Sequence, residues 1–317
     1  MKMHLLTAAV LVAGLATSGA GLAADPAAQA DSTEARRVDK KTDQFRLQRI
    51  TPGYWRVTID NPPFNIYGPR AMPQLNAVIT QIEQDPDVRV VVFDSAVPGF
   101  FLTHYDFVPP LEESTEMPAG TTGLPPLPDM LVRLSRAPVV SIVSIRGRAT
   151  GVGSELALAS DMRFASREKA VLSQWEIGAG LVPGGGPMAR LPRLMGRGRA
   201  LEVLLSGNDI DGELAERYGY VNRALPDAQL DAFVDKLARR ISTFDKRAIA
   251  DIKGLVNANS LPSNEEIGKE WDAFIGSVGR PSTQQRIGRL MEFGLQTNRE
   301  VEVHLPDYTV KSGTPEK

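Results

Sequence analysis

Between residues 88 and 145 the chain switches between two kinds of apolar pattern, and this restricts the fold more than any other feature. "VRVVVFD" and "PVVSIVSI" are short, nearly unbroken apolar runs rich in β-branched residues, as expected of strands buried on both faces. "DMLVRLSR" between them has its apolar residues at helical spacing. Strand, helix and strand in close succession argue for an α/β core with parallel strands, because parallel neighbours need a crossover. Upstream, "FRLQRI" and "YWRVTID" flank the turn "TPG" and read as a hairpin, which "NPPFN" terminates. The next helix runs through "MPQLNAVITQIEQ", with Leu75, Val78, Ile79 and Ile82 on one face, and ends near "DPD". "VPPLEESTEMPAGTTGLPPLP" reads as a long loop or lid, and "MRFAS" and "AVLS" as short strands. Beyond Gly196 the pattern becomes almost wholly helical, from "ALEVLLSG" to "STQQRIGRLMEFGLQ".

Charge and composition narrow the function classes. The 317 residues carry 36 Lys+Arg against 38 Asp+Glu, so neither a nucleic-acid surface nor a polybasic membrane patch is expected. Cysteine is absent, which excludes disulfides and thiol catalysis, and the three histidines, His4, His104 and His304, lack metal-ligand spacing. No metal and no cofactor are expected. The N-terminus has one Lys, an apolar run from Leu5 to about Ala16, and small residues that suit cleavage after Ala23, Ala24 or Ala30. Residues 1–24 therefore read as a signal peptide whose cleavage could fall as late as residue 30, giving a periplasmic or secreted protein. The apolar run is too short for a comfortable membrane span, and none is expected in the mature chain. Residues 25–44 are a charged, flexible lead-in, 45–196 the α/β core, 197–300 a helical region and 301–317 a tail.

The stretch "TGVGSELALASD" (150–161) carries the chemistry. Gly151 and Gly153 permit a tight turn, Ser154 is placed to cap, and the apolar helix that follows carries Glu155 toward the interior. An acid in a first turn can merely complement the helix N-terminus. A catalytic role requires a second group nearby.

The ordered series "NPPFN", "DPDVRVVVFDS", "APVVSIVSIRGRATGVGSELALASDMRFAS", "LSQWEIGAGLVPGGGPMARLPRLMGRGRALEVLLSG" and "AERYGYVNRALP" resembles the enoyl-CoA hydratase/isomerase (crotonase) family over roughly residues 45–293. The resemblance implies the crotonase fold of repeated ββα units, with a C-terminal helical region that assembles homotrimers or hexamers. It implies a small-molecule acyl substrate, with a coenzyme A thioester as the candidate. It also implies an oxyanion hole made by the backbone N–H groups of Tyr105 and Val152, with Glu155 and Glu176 as acid and base. His104, Gly151, Gly153 and Trp175 fall in the substrate pocket. Hydration of an α,β-unsaturated acyl group needs an acid, a base and a clamp on the carbonyl around one water, and two carboxylates can divide the first two roles.

Four residues depart from the family pattern. Val152 stands where a third Gly is common, Tyr105 replaces a small residue, His104 replaces Gly, and Trp175 replaces the Pro before the second acid. The acyl pocket is therefore expected to be reshaped. The basic ending of the last family helix is replaced by "GLQ", and Glu112, Glu113 and Glu116 make the lid acidic. Export also separates the protein from coenzyme A thioesters. Two alternatives to a hydratase or isomerase follow: a hydrolase of a carbonyl compound such as a β-diketone, and a non-catalytic binding protein with the same fold.

Overall fold

The computed structural model describes residues 43–314. The signal peptide and most of the lead-in expected from the sequence lie outside the described residues. The hairpin forms as expected, with β1 (Phe45–Thr51) antiparallel to β2 (Tyr54–Ile59). Helix α1 (Met72–Gln84) follows with Pro73 in its first turn. It stops where the Asp85 carboxylate accepts the N–H groups of Asp87 and Val88, both at 2.9 Å, in a local turn that competes with another helical turn.

Three strand pairs then build the core. β3 (Val90–Ser95) leads to β4 (Gly99–Leu102), then a short helix α2 (Glu112–Thr115) and α3 (Pro126–Arg136). β5 (Val140–Ile145) leads to β6 (Gly147–Thr150) and α4 (Val152–Ala159). β7 (Met162–Ser166) leads to β8 (Val171–Ser173), a 3-10 turn at Glu176–Ala179 and α5 (Pro187–Met195). The chain continues through α6 (Arg197–Ser206), β9 (Ile210–Asp211), α7 (Gly212–Tyr218), β10 (Arg223–Leu225) and α8 (Asp227–Ile241). It ends with α9 (Lys246–Ser260), α10 (Asn264–Val278), α11 (Pro281–Phe293), α12 (Arg299–Val303) and α13 (Leu305–Gly313).

The first strand of each pair enters a six-stranded sheet of order β1-β2-β3-β5-β7-β10, and the second enters a four-stranded sheet of order β4-β6-β8-β9. This is the repeated ββα plan. The larger sheet explains the unbroken apolar runs. Val91 and Phe93 of β3 pack in a cluster with Leu75, Ile79 and Ile82 of α1, whereas Val90 and Val92 pack in another with Leu230, Val234 and Ala238 of α8. Both faces of the strand are covered, so neither can be polar.

Two boundaries differ from the sequence reading. The core does not end at residue 196, because β10 returns to pair with β7 in the larger sheet. Residues 301–317 are not a tail as far as they are described: α12 and α13 occupy most of 299–313, with Val301 and Leu305 buried beside Trp175 and Leu290. A three-residue strand and a five-residue helix are too short for periodicity to announce.

One close approach joins the two halves of the site. The Gly153 N–H donates to the Thr103 carbonyl at 3.2 Å, and a Cβ on Gly153 would overlap the carbonyl of Leu102. Gly198, by contrast, has open space around it. Gly153→Ala should therefore lose about 3 kcal/mol in urea unfolding, whereas Gly198→Ala in α6 should be neutral or gain up to about 1 kcal/mol; equal effects would remove the role of this contact.

Candidate active site

Gly151 has φ +55°, a left-handed value that glycine adopts without a Cβ penalty. Helix α4 starts on the next residue. Val152 is thereby spared positive φ, which among the described non-glycine residues occurs only at Asn65 and Gln296. The strain that a β-branched residue at positive φ would bring to this turn does not arise.

The Gly153–Thr103 bond holds the loop after β4 against this turn. In the two segments the N–H groups of Gly151, Gly153, Glu155 and Asp106 all donate to backbone carbonyls, at 3.2, 3.2, 3.0 and 2.7 Å respectively. Those of His104, Tyr105, Val152 and Ser154 have no acceptor among the described residues, and of these His104, Tyr105 and Val152 line one cavity. Tyr105 and Val152 are the pair that the resemblance assigns to the oxyanion hole, and buried backbone donors left unpaired beside a cavity suit an oxygen the chain itself does not supply.

Both predicted carboxyls line the same cavity. Glu155, in the first turn of α4, accepts the Gly185 N–H at 2.7 Å. Burial pushes its pKa up to about 7, against the opposing influence of the Gly185 and Gly184 N–H groups and the Arg190 charge. Glu176 opens the 3-10 turn after β8. Burial first, and then the neighbouring Glu155 charge, raise its pKa well above the ordinary carboxylate range. The Gln174 amide satisfies both its neighbours when its NH2 donates to Glu176 Oε2 at 3.1 Å and its oxygen accepts from Ser154 Oγ at 2.9 Å. Ser154 also bonds the Tyr220 hydroxyl. It therefore orients Gln174 and makes no cap hydrogen bond to α4.

The cavity encloses about 50 Å³ of free space, room for a few waters or a small acyl group. Phe107 and Trp175 form one wall, and Trp271 and Phe274 of α10 another. Leu111 and Ser114 close it from the acidic segment, and Ser114 Oγ bonds the Tyr105 hydroxyl. That segment thus acts as a cover, and Tyr105 couples it to the oxyanion loop.

Residues 50–274 match the family model described as enoyl-CoA hydratase/isomerase. The chain belongs to the enoyl-CoA hydratase/isomerase family. It is 32% identical over 195 residues to the mitochondrial enoyl-CoA hydratase domain-containing protein 2 of Mus musculus, covering 60% of this chain and 65% of that protein. The bovine counterpart is 35% identical, with 51% of this chain and 53% of that protein covered, so the matches span between half and two-thirds of these two relatives. The 1,2-epoxyphenylacetyl-CoA isomerase of Escherichia coli K12 is 26% identical over 74% of this chain and 90% of its own length. A crystal structure from Streptomyces avermitilis, itself only provisionally assigned as an enoyl-CoA hydratase, superposes with TM-score 0.80 at 39% identity, covering 88% of this chain and all of that one.

All eight residues singled out from the sequence meet around this enoyl-CoA hydratase/isomerase-family turn. His104, Tyr105, Val152, Glu155, Trp175 and Glu176 line the cavity, while Gly151 and Gly153 shape the backbone beneath it. Other residues were not legible beforehand. Gln174 gives no sign of its bond to Glu176, although the adjacent "PGGGP" run could have signalled a backbone approach at Gly184 and Gly185.

The largest omission is Glu302. His104 Nδ1–H donates to the Tyr105 carbonyl at 2.8 Å, and Nε2–H donates to the Glu302 carboxylate at 3.0 Å, with both side chains almost fully buried. Since both ring nitrogens face acceptors, the ring is an imidazolium. Burial alone would lower the His104 pKa, but the Glu302 charge and hydrogen bond, the Tyr105 carbonyl and Asp106 together raise it. Burial would likewise raise Glu302, yet His104, the Gln296 N–H and Arg148 leave it below its ordinary value. Gln296 strengthens the same junction by accepting the Phe107 N–H at 2.8 Å and donating to Asp106 at 2.6 Å.

The sign of the pH dependence follows. The raised His104 pKa contributes stability that is complete below 6.5 and lost as pH rises through its folded value. The depressed Glu302 pKa contributes stability that is complete above 4.5 and lost as pH falls through its folded value. Glu302→Gln should therefore destabilise by about 3–5 kcal/mol between those values, the scale for leaving one member of a buried pair unmatched. The deficit should shrink at more alkaline and more acid pH; a deficit independent of pH in chemical unfolding would contradict the ion pair.

Proposed function

We propose that the protein adds water to a short α,β-unsaturated acyl thioester, or runs the reverse elimination. The observation that carries this reading is the convergence of two unpartnered amides and two carboxyls of raised, unequal proton affinity on one small cavity. The thioester oxygen accepts from the Tyr105 and Val152 N–H groups. Glu155, the first of the pair to ionise, takes a proton from water as its oxygen bonds to the β-carbon. Negative charge moves to the thioester oxygen, where two preset amides stabilise it; one such donor is worth about 3 kcal/mol. Glu176, still protonated, then gives its proton to the α-carbon. The hydratase and isomerase branches share this enolate. Paired carboxyls favour hydration over the hydrolase alternative, and Ser154 is committed to Gln174 and Tyr220.

Glu155→Gln and Glu176→Gln should each reduce hydration of crotonyl-CoA by about 10²-fold or more, the scale of positioned acid/base catalysis. Wild-type activity should rise with pH through about 7 as the pair gives up its first proton, and fall again at higher pH when Glu176 loses its own. Unchanged turnover in either variant, measured by loss of enoyl absorbance, would contradict the assignment.

Assembly as a homotrimer, or a hexamer of two trimers, belongs to the same proposal. Helix α9 supports it: Ile249 is its one buried hydrophobic residue, whereas Ile252, Leu255 and Val256 are 64, 73 and 59% exposed. Such a stripe is the kind of apolar face that a second copy covers. Light scattering should give three or six chains for the wild type and smaller species for Leu255→Glu; a wild-type monomer at micromolar concentration would contradict it. Export, to the periplasm or beyond the cell, remains part of the proposal on the N-terminal sequence alone, and implies an unsaturated acyl substrate available outside the cytoplasm.

A further inference from the structure

The loop that carries Tyr105 is hydrogen-bonded from opposite directions. Tyr67 holds one side: its N–H donates to the His104 carbonyl at 3.0 Å, and its carbonyl accepts the Asp106 N–H at 2.7 Å. A trans peptide unit is planar, so the first of these bonds fixes the plane of the Tyr105 N–H and turns that N–H away from Tyr67. The other side is held by Gln296 and Glu302, which lie beyond the residues 50–274 that match the family model.

Gln296 Oε1 accepts the Phe107 N–H at 2.8 Å while its Nε2 donates to the Asp106 carboxylate at 2.6 Å. One amide thus grips the two residues that follow Tyr105. The Gln296 N–H donates to Glu302 at 2.7 Å, and Glu302 accepts from the His104 imidazolium, whose other nitrogen holds the Tyr105 carbonyl. Helix α12 is itself anchored, because Arg148 of β6 donates to the Val303 carbonyl at 3.0 Å and pairs with Asp209 at 2.7 Å. Gln296 has φ +70°, an uncommon value for a residue other than glycine. Glycine would adopt it freely but could make neither side-chain bond.

From this we propose that Gln296 and Glu302 are positioning residues for the oxyanion donor at Tyr105, Gln296 acting directly on the loop and Glu302 acting through His104. The inference rests on the hydration reading above and names what holds one of its donors in place. Neither residue lines the cavity, and neither exchanges a proton. Their effect is on where the Tyr105 N–H stands when charge develops on the thioester oxygen. A displacement of about 1 Å at such a point can cost 10²-fold in rate, and the loss falls on kcat because the bond matters most in the transition state.

The test uses the full chain, with crotonyl-CoA for turnover and ¹³C-carbonyl butyryl-CoA as a probe of the site. Gln296→Gly removes the side chain and suits the backbone conformation, so nothing at this position opposes folding. It should lower kcat by about tenfold to 10²-fold with KM changed less than about threefold, and the bound carbonyl stretch should move back toward its value in water. Thr297→Ala is the control. Its hydroxyl bonds only the Gly294 carbonyl, so kcat and the stretch should stay at their wild-type values. Glu302→Gln, which loosens the same clamp through His104, should show the same coupled loss and decides the matter where Gln296→Gly does not fold. Wild-type kcat in folded Gln296→Gly, a kcat loss without a change in the stretch, or an equal loss in Thr297→Ala would overturn the proposal and leave the hydratase reading intact. Failure of the wild type to hydrate crotonyl-CoA would overturn both.

Discussion

The site depends on one close backbone approach. Gly153 lies so near the Leu102 carbonyl that no side chain fits, and its N–H is spent on Thr103. That contact draws the loop after β4 against the turn before α4. Tyr105 and Val152 beside it line a cavity, and their N–H groups have no carbonyl partner among the described residues. The two sheets make this possible, because β4 and β6 lie side by side in the smaller one while their preceding strands are fixed in the larger one. Backbone donors held this way tolerate unusual side chains, which is how Tyr105 and Val152 coexist with the family geometry.

Electrostatics follow from enclosure. The apolar walls that exclude water also raise both carboxyl pKa values, and the pair separates because Glu155 has the Gly185 and Gly184 N–H groups and Arg190 to favour its charge. One acid and one base can then be present together near neutrality. The C-terminal helices belong to this enclosure. α12 supplies the carboxylate for His104, and α10 supplies an aromatic wall, so the helical region completes the site as well as covering the core.

Much of this was legible in the sequence, where the signal is local. The α1 limits at residues 72 and 84 follow from a proline in the first turn, four apolar residues on one face and an aspartate turn. The central strands follow from apolar runs that only a doubly covered sheet can bury. The turn residues and both glutamates were marked by their order along the chain. What escaped notice is tertiary. Glu302 lies 198 residues from His104, and nothing near either residue signals the pairing. Gln174 and Ser154 offer several plausible local bonds, and only packing selects the one through to Glu176. Val152, where a third Gly is common, needs no positive φ, because the turn puts that burden on Gly151.

The central claim is that the Tyr105 and Val152 amides polarise a thioester carbonyl before any proton moves. Vibrational spectroscopy of bound butyryl-CoA carrying a ¹³C carbonyl measures this directly. The account predicts a carbonyl stretch shifted to lower frequency than in water, because two fixed donors in a dry site weaken the C=O bond more than mobile solvent does. A bound ligand whose carbonyl stretch matches that in water, or lies above it, would contradict the account.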